Sequence, residues 1–142
     1  MSLSPVTASG PTVRVLVVDD NRDAAQVLRI LLKTCGYEVD MVLDSSECLA
    51  HLESFKPAVL LLDIGMPRIS GYTLAKQIRA RQEFARMAII AISGYADAEH
   101  VQQSLDAGCD QHLAKPADLA TIEAAIALAV EKRQSPPAGA FH

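Results

Sequence analysis

The sequence predicts an α/β fold, a three-layer sandwich with five parallel strands between two layers of helices. Three observations carry that expectation. Short apolar runs at residues 13–18, 58–62, 88–92 and 112–114 alternate with stretches of helical periodicity, the pattern of buried parallel strands. Each connection between runs is long enough to hold a helix, as parallel pairing and right-handed crossovers require. Each run also ends on residues that carry chemistry: Asp19-Asp20, Asp63, Ser93 and Lys115-Pro116. Ligands of open parallel sheets collect outside the carboxyl ends of the strands. Three carboxylates, a hydroxyl and an ammonium are therefore expected to meet at one place.

Strand one, 13–18, leads at once into a helix. Its Ala24, Val27, Leu28, Leu31, Leu32 and Cys35 recur at helical spacing and are expected to face the core. Asp20 or Asn21 caps its start and Gly36 stops it. Residues 37–43 alternate in part and read as strand two. Asp44-Ser45-Ser46 opens a second helix with Cys48, Leu49, Leu52 and Phe55 inward, ended by Pro57. Strand three ends at Asp63, and Gly65, Pro67 and Gly71 punctuate the loop beyond it. A third helix turns Tyr72, Leu74 and Ile78 inward. Strand four ends at Ser93, and a fourth helix over 97–107 stops at Gly108. Strand five is short, 111–114. The last helix starts near Asp118 and buries Leu119, Ile122, Ile126, Ala129 and Val130, with Ala124, Ala125, Ala127 and Leu128 outside or beside that stripe.

A chain of 142 residues, half of them hydrophobic, suits one domain with an aliphatic core. The net charge of −4 argues against a broad basic face for nucleic acid. Cys35, Cys48 and Cys109 are odd in number and widely spaced, so free thiols in a reducing cytoplasm are expected. No stretch approaches the length of a membrane span, and the N-terminus lacks a signal-peptide pattern. Residues 1–10 read as a disordered segment that is in part an expression scar, 11–133 as the domain, and 134–142 as a tail or linker. His51, His100 and His142 read as exposed, and Arg79, Arg81 and Arg86 as a solvated helix end.

Asp19, Asp20 and Asp63 repel one another unless a cation intervenes. Mg²⁺ suits such a set, because it takes a few oxygen ligands and keeps places for water and phosphate, with Mn²⁺ as a substitute. Viewed alone, Asp19 or Asp20 also reads as a simple helix cap, a reading that weakens once Asp63 ends another strand. Asp63 is the candidate nucleophile, since carboxylates form aspartyl phosphates. Lys115 would place a point charge beside the phosphoryl group and Ser93 a hydroxyl.

These residues carry a resemblance. Val18-Asp19-Asp20, Leu61-Leu62-Asp63-Ile64-Gly65-Met66-Pro67, Gly71-Tyr72, Ala91-Ile92-Ser93-Gly94-Tyr95 and Leu113-Ala114-Lys115-Pro116 stand in this order and spacing. The chain resembles a response-regulator receiver domain of two-component signalling from Val13 to Lys132. The resemblance implies a flavodoxin-like sheet of order 2-1-3-4-5. It implies that Asp63 is the phosphoacceptor, that Asp20 and Asp63 hold Mg²⁺ directly with Asp19 helping through water, and that Gly65 offers its backbone carbonyl. Lys115 would pair with Asp63 or its phosphate, Ser93 would be the switch hydroxyl, and Pro116 would follow a cis bond. It further implies a phosphohistidine donor, a histidine kinase or a histidine phosphotransfer domain, docking at the start of the first helix. The output surface would comprise helix four, strand five and helix five, which is also a candidate dimer face. Such a domain is a switch that catalyses only its own phosphorylation and slow dephosphorylation, although its parent chain could be a histidine kinase.

One departure stands at position 112. The family places Tyr or Phe three residues before the lysine, and this chain has His112, as in many receivers attached to hybrid sensor kinases. His112 is thus a candidate switch or a plain groove filler. Gly65, Pro67 and Tyr95 are candidates for shaping the loops and tuning phosphate lifetime. A phosphorylation-independent interaction module is the alternative reading.

Overall fold

The computed structural model describes residues 12–65, 70–95 and 97–134. Five strands form one sheet: β1 (Arg14–Val18), β2 (Glu38–Val42), β3 (Val59–Asp63), β4 (Ala88–Ser93) and β5 (Gln111–Ala114). Five helices alternate with them: α1 (Arg22–Thr34), α2 (Cys48–Phe55), α3 (Gly71–Arg79), α4 (Ala98–Asp106) and α5 (Leu119–Gln134). The strand order is β2-β1-β3-β4-β5 and all neighbours are parallel, as expected. The expectations for 1–10, for Pro67 and for all of the 134–142 tail but Gln134 lie outside the described residues; Gln134, expected in that tail, ends α5.

Alternation along the strands builds two cores. Leu16, Val18, Leu60, Leu62, Ile89 and Ala91 face one side, where α2 and α3 supply Cys48, Leu52, Leu74, Ala75 and Ile78. Val15, Val17, Val59, Leu61, Ala88 and Ile90 face the other, where α1 and α5 supply Ala25, Leu32, Ile122, Ala125, Ile126 and Ala129. A leucine or isoleucine buried this fully contributes about 1.5–3 kcal/mol over an exposed one. β3 lies between β1 and β4 and is buried throughout, which is why its sequence is an unbroken apolar run up to Asp63.

Local sequence sets the helix ends. The side chains of Asn21, Ser70 and Asp97 accept from the backbone N–H groups of Ala24, Thr73 and His100 and start α1, α3 and α4. Asp118 caps α5 through the Thr121 N–H at 2.8 Å. Gly36 and Gly108 take φ of 98° and 105° just past α1 and α4, a region open to glycine and strained for other residues. Two short 3-10 turns, Ser45–Glu47 and Gln82–Phe84, add to the predicted elements.

Three expectations are corrected. On α1, Ala24, Val27 and Leu31 do not face the core: Val27 is 56% and Leu31 39% exposed. The apolar arc of α1 contains two stripes, 24-27-31 and 25-28-32, turned about 100° from one another. The sheet contacts only the second, so Ala25 and Leu32 are buried. On α5, Ala125 belongs to the core. Arg79 is not a solvated end, for it donates to the carbonyls of Gly108 and Phe84 and to Asp110.

Candidate functional site

The register brings the strand ends level. Val18 pairs with Leu62, Asp63 with Ile92, and Ser93 with Ala114. The Lys115 N–H then donates to the Ser93 carbonyl at 2.7 Å. Asp19, Asp20, Asp63, Ser93 and Lys115 consequently line one cleft of about 550 Å³, together with Gly65, Tyr95 and His100. Pro116 follows a cis peptide bond and lines the neighbouring groove.

Carboxylate oxygens of Asp19, Asp20 and Asp63 lie within 4.8 Å of one another. Asp63 is 7% exposed. Its Oδ1 accepts from the Gly65 N–H at 3.0 Å and lies 3.2 Å from Lys115 Nζ. The Lys115 side chain is 42% exposed, so solvent screens this pair and its worth to stability is small. A Cβ at position 65 would lie at an ordinary 3.7 Å from Asp63 Oδ1. Space therefore does not demand glycine there, and its absence of a side chain leaves the approach to Asp63 open. Three crowded carboxylates with a solvated approach suit a hard divalent cation.

Asp19 responds first to its burial and then to its neighbours. Burial pushes its carboxyl up to about 6, against the pull of the Asn21 N–H; the charge and hydrogen bond of Asp63 push the same way, and Lys115 pulls it down. A carboxyl raised by folding binds its proton more tightly in the folded chain. Its contribution therefore favours folding at low pH and is lost as pH rises from about 4 to about 6. In EDTA, Asp19→Asn should gain in urea midpoint relative to the parent as pH rises from about 4 to about 7. A constant difference across that range would contradict the effect.

Ser93 is almost fully buried, and its Oγ accepts from the Tyr95 N–H at 3.0 Å. Tyr95 is 64% exposed and stacks on His100, with ring centroids 4.8 Å apart. His100 also lies 2.6 Å from Asp97 Oδ1, so it is half-buried and placed rather than simply exposed. His112 is half-buried and bonded at both ring nitrogens, to Ser104 Oγ at 2.6 Å and to the Tyr95 carbonyl at 2.7 Å.

Residues 15–127 match the model of the response regulator receiver domain. The chain belongs to that family. This receiver is 32% identical over 113 residues to the gliding motility regulatory protein of Myxococcus xanthus, covering 78% of this chain and 14% of that protein. It is 35% identical over 105 residues to the response regulator MprA of Mycobacterium tuberculosis, covering 74% and 45%. The chain thus spans less than half the length of these relatives. Among solved structures, a CheY-like receiver domain protein from Methanospirillum hungatei superposes with a TM-score of 0.80 at 28% identity, over 87% of this chain and 97% of that one. Chemotaxis response regulator CheY4 of Vibrio cholerae gives 0.79 at 25% identity, over 84% and 99%.

Sequence reasoning missed two residues of the receiver's cleft and its surroundings. Ser104 is 0% exposed on the inner face of α4, and a polar residue at a buried helical position is itself a sign that a partner waits across the fold. His100 was signalled only by its distance of three from the capping Asp97. Cys48 and Cys109 are buried free thiols that burial pushes up to about 12, so they stay unreactive. Among the described residues, no helix is long and apolar enough to cross a membrane.

Proposed function

We propose that this receiver accepts a phosphoryl group on Asp63 from a phosphohistidine of a partner kinase or phosphotransfer domain. The observation that carries the proposal is the meeting of three carboxylates within 4.8 Å with an ammonium 3.2 Å from Asp63. Asp20 and Asp63 are the residues to hold Mg²⁺, or Mn²⁺ in its place, with Asp19 acting through water and Gly65 through its carbonyl. Such an ion would offset the crowded negative charge and polarise the incoming phosphoryl group. A carboxylate oxygen of Asp63 bonds to phosphorus as the phosphorus–nitrogen bond of the donor breaks, and its electron pair returns to the donor imidazole. Lys115 faces the new charge as a point cation.

Access supports the same reading. A groove of about 770 Å³ runs from Asp63 and Lys115 along Ala24, Val27 and Leu31 of α1 to Pro116 and Leu119. The apolar stripe that the sheet leaves uncovered therefore borders the acceptor, where a donor would have to dock. The defining experiment is intact mass after incubation with Mg²⁺ and acetyl phosphate. One added phosphoryl group, absent with EDTA, is expected; none in a folded chain, with acetyl phosphate or with a phosphohistidine donor, would defeat the proposal and favour a phosphorylation-independent module.

Two further roles are open to test. Lys115→Ala should stay folded, since the lysine side of its pair with the buried Asp63 is 42% exposed and screened by solvent. Once labelled it should show much smaller amide shifts in α4 and β5 than the parent, and equal shifts would remove Lys115 from the switch. Tyr95 stands on the cleft wall and is proposed to shield the phosphoryl group from water. Tyr95→Ala should then shorten the aspartyl-phosphate half-life severalfold, and an unchanged half-life rejects the shield.

A further inference from the structure

The hydrogen bonds around His112 have a fixed direction. A carbonyl oxygen only accepts, so His112 Nε2, 2.7 Å from the Tyr95 carbonyl, carries the proton. Nδ1 of the neutral ring is then an acceptor, and Ser104 Oγ at 2.6 Å donates to it. Ser104 is fully buried, so no water stands ready to replace His112 as its partner, and breaking that bond leaves a buried hydroxyl unsatisfied. The other side of the Tyr95 backbone is tied as well, its N–H donating to Ser93 Oγ at 3.0 Å. Ser93, Tyr95, His112 and Ser104 thus form a continuous chain from the cleft, across β5, to the inner face of α4.

We infer that this chain is a relay coupling the cleft to α4, with His112 a positioning residue that holds the Tyr95 carbonyl rather than an aromatic that swings. The inference rests on the receiver reading above. In that setting, Ser93 turning its hydroxyl toward a phosphoryl oxygen gives up the Tyr95 N–H. The segment between β4 and α4 then shifts, and the Tyr95 carbonyl either draws His112 with it or leaves it. Both outcomes disturb the bond that Ser104 makes from α4. Coupling of this kind is reciprocal, so a change at Ser104 must be felt at Tyr95 even before any phosphoryl group arrives.

The test uses the full chain without metal or phosphoryl donor. Nitrogen-15 spectra of His112 should show a protonated Nε2 and a bare Nδ1; a protonated Nδ1 would overturn the relay. Amide exchange at Tyr95 should rise about tenfold in Ser104→Ala and in His112→Leu, the effect of losing one hydrogen bond. His112→Gln keeps an N–H donor for the carbonyl and should stay within about threefold of the parent. Exchange in β3 should be the same in all variants, which separates the relay from a general loss of stability. An unchanged Tyr95 rate in Ser104→Ala would overturn the inference. Intact mass with Mg²⁺ and acetyl phosphate, run in parallel, judges the phosphoacceptor reading by itself, so the two can fail separately.

Discussion

Asp63→Asn is expected to reduce phosphoryl labelling by acetyl phosphate or a phosphohistidine donor to background while the chain stays folded. The amide has the shape of the carboxylate and still accepts the Gly65 N–H through its oxygen, a bond of 3.0 Å in the parent. It lacks the charge and the nucleophilic oxygen pair that aspartyl-phosphate chemistry needs. The stability effect should run opposite to the functional one. Removing one of three neighbouring carboxylates relieves repulsion in the metal-free chain, and the lost pair with Lys115 is half solvated. The urea midpoint in EDTA should therefore be equal or higher. Labelling at the parental rate would refute Asp63 as acceptor.

Gly71→Ala should damage fold and site together. A Cβ at that position would meet Ile64 Cα at 2.6 Å, Ile64 Cδ1 at 2.8 Å and the Asp63 carbonyl oxygen at 3.1 Å. Two of these are backbone atoms and cannot rotate aside. The Gly71 N–H also donates to the Ile64 carbonyl at 3.1 Å, so the first turn of α3 rests directly on the end of β3. Alanine ordinarily favours a helix over glycine by about 1 kcal/mol. Overpacking of this kind costs about 1–3 kcal/mol, so a net loss in urea midpoint is expected. Displacement of Asp63 should also slow labelling by tenfold or more, given that a misplacement of about 1 Å can cost about 10²-fold. A midpoint equal to the parent's, with normal labelling, would show that the α3–β3 contact yields without consequence.

The strands were legible because β3 and β4 are apolar on both faces, and the cleft because Asp19, Asp20, Asp63, Ser93 and Lys115 each stand where a strand ends. Periodicity tells which residues share a face of a helix but not how much of that face a neighbour covers. That is why Val27 and Leu31 were expected inside and lie outside. Contacts across the fold were illegible for a related reason. Ser104 meets His112, and Arg79 meets Gly108 and Asp110, only after helices have settled on the sheet at particular distances. Local pattern does not encode those distances. The cis bond before Pro116 was expected only through family resemblance.

β3 is clasped on both sides by paired strands, whereas β2 and β5 are the outer strands, and of these two only β5 carries no buried residue. Free energies of local opening follow that difference: central strands open only with the whole domain, and peripheral segments open far more cheaply. Asp63 terminates the stiffest member of the sheet, while His112, Tyr95 and α4 occupy its compliant margin. A charge added at Asp63, as proposed, would meet its most yielding neighbours toward that margin. The mechanical gradient of the sheet, as much as any single side chain, would then favour the β5 side for a signal that arrives, as proposed, at Asp63.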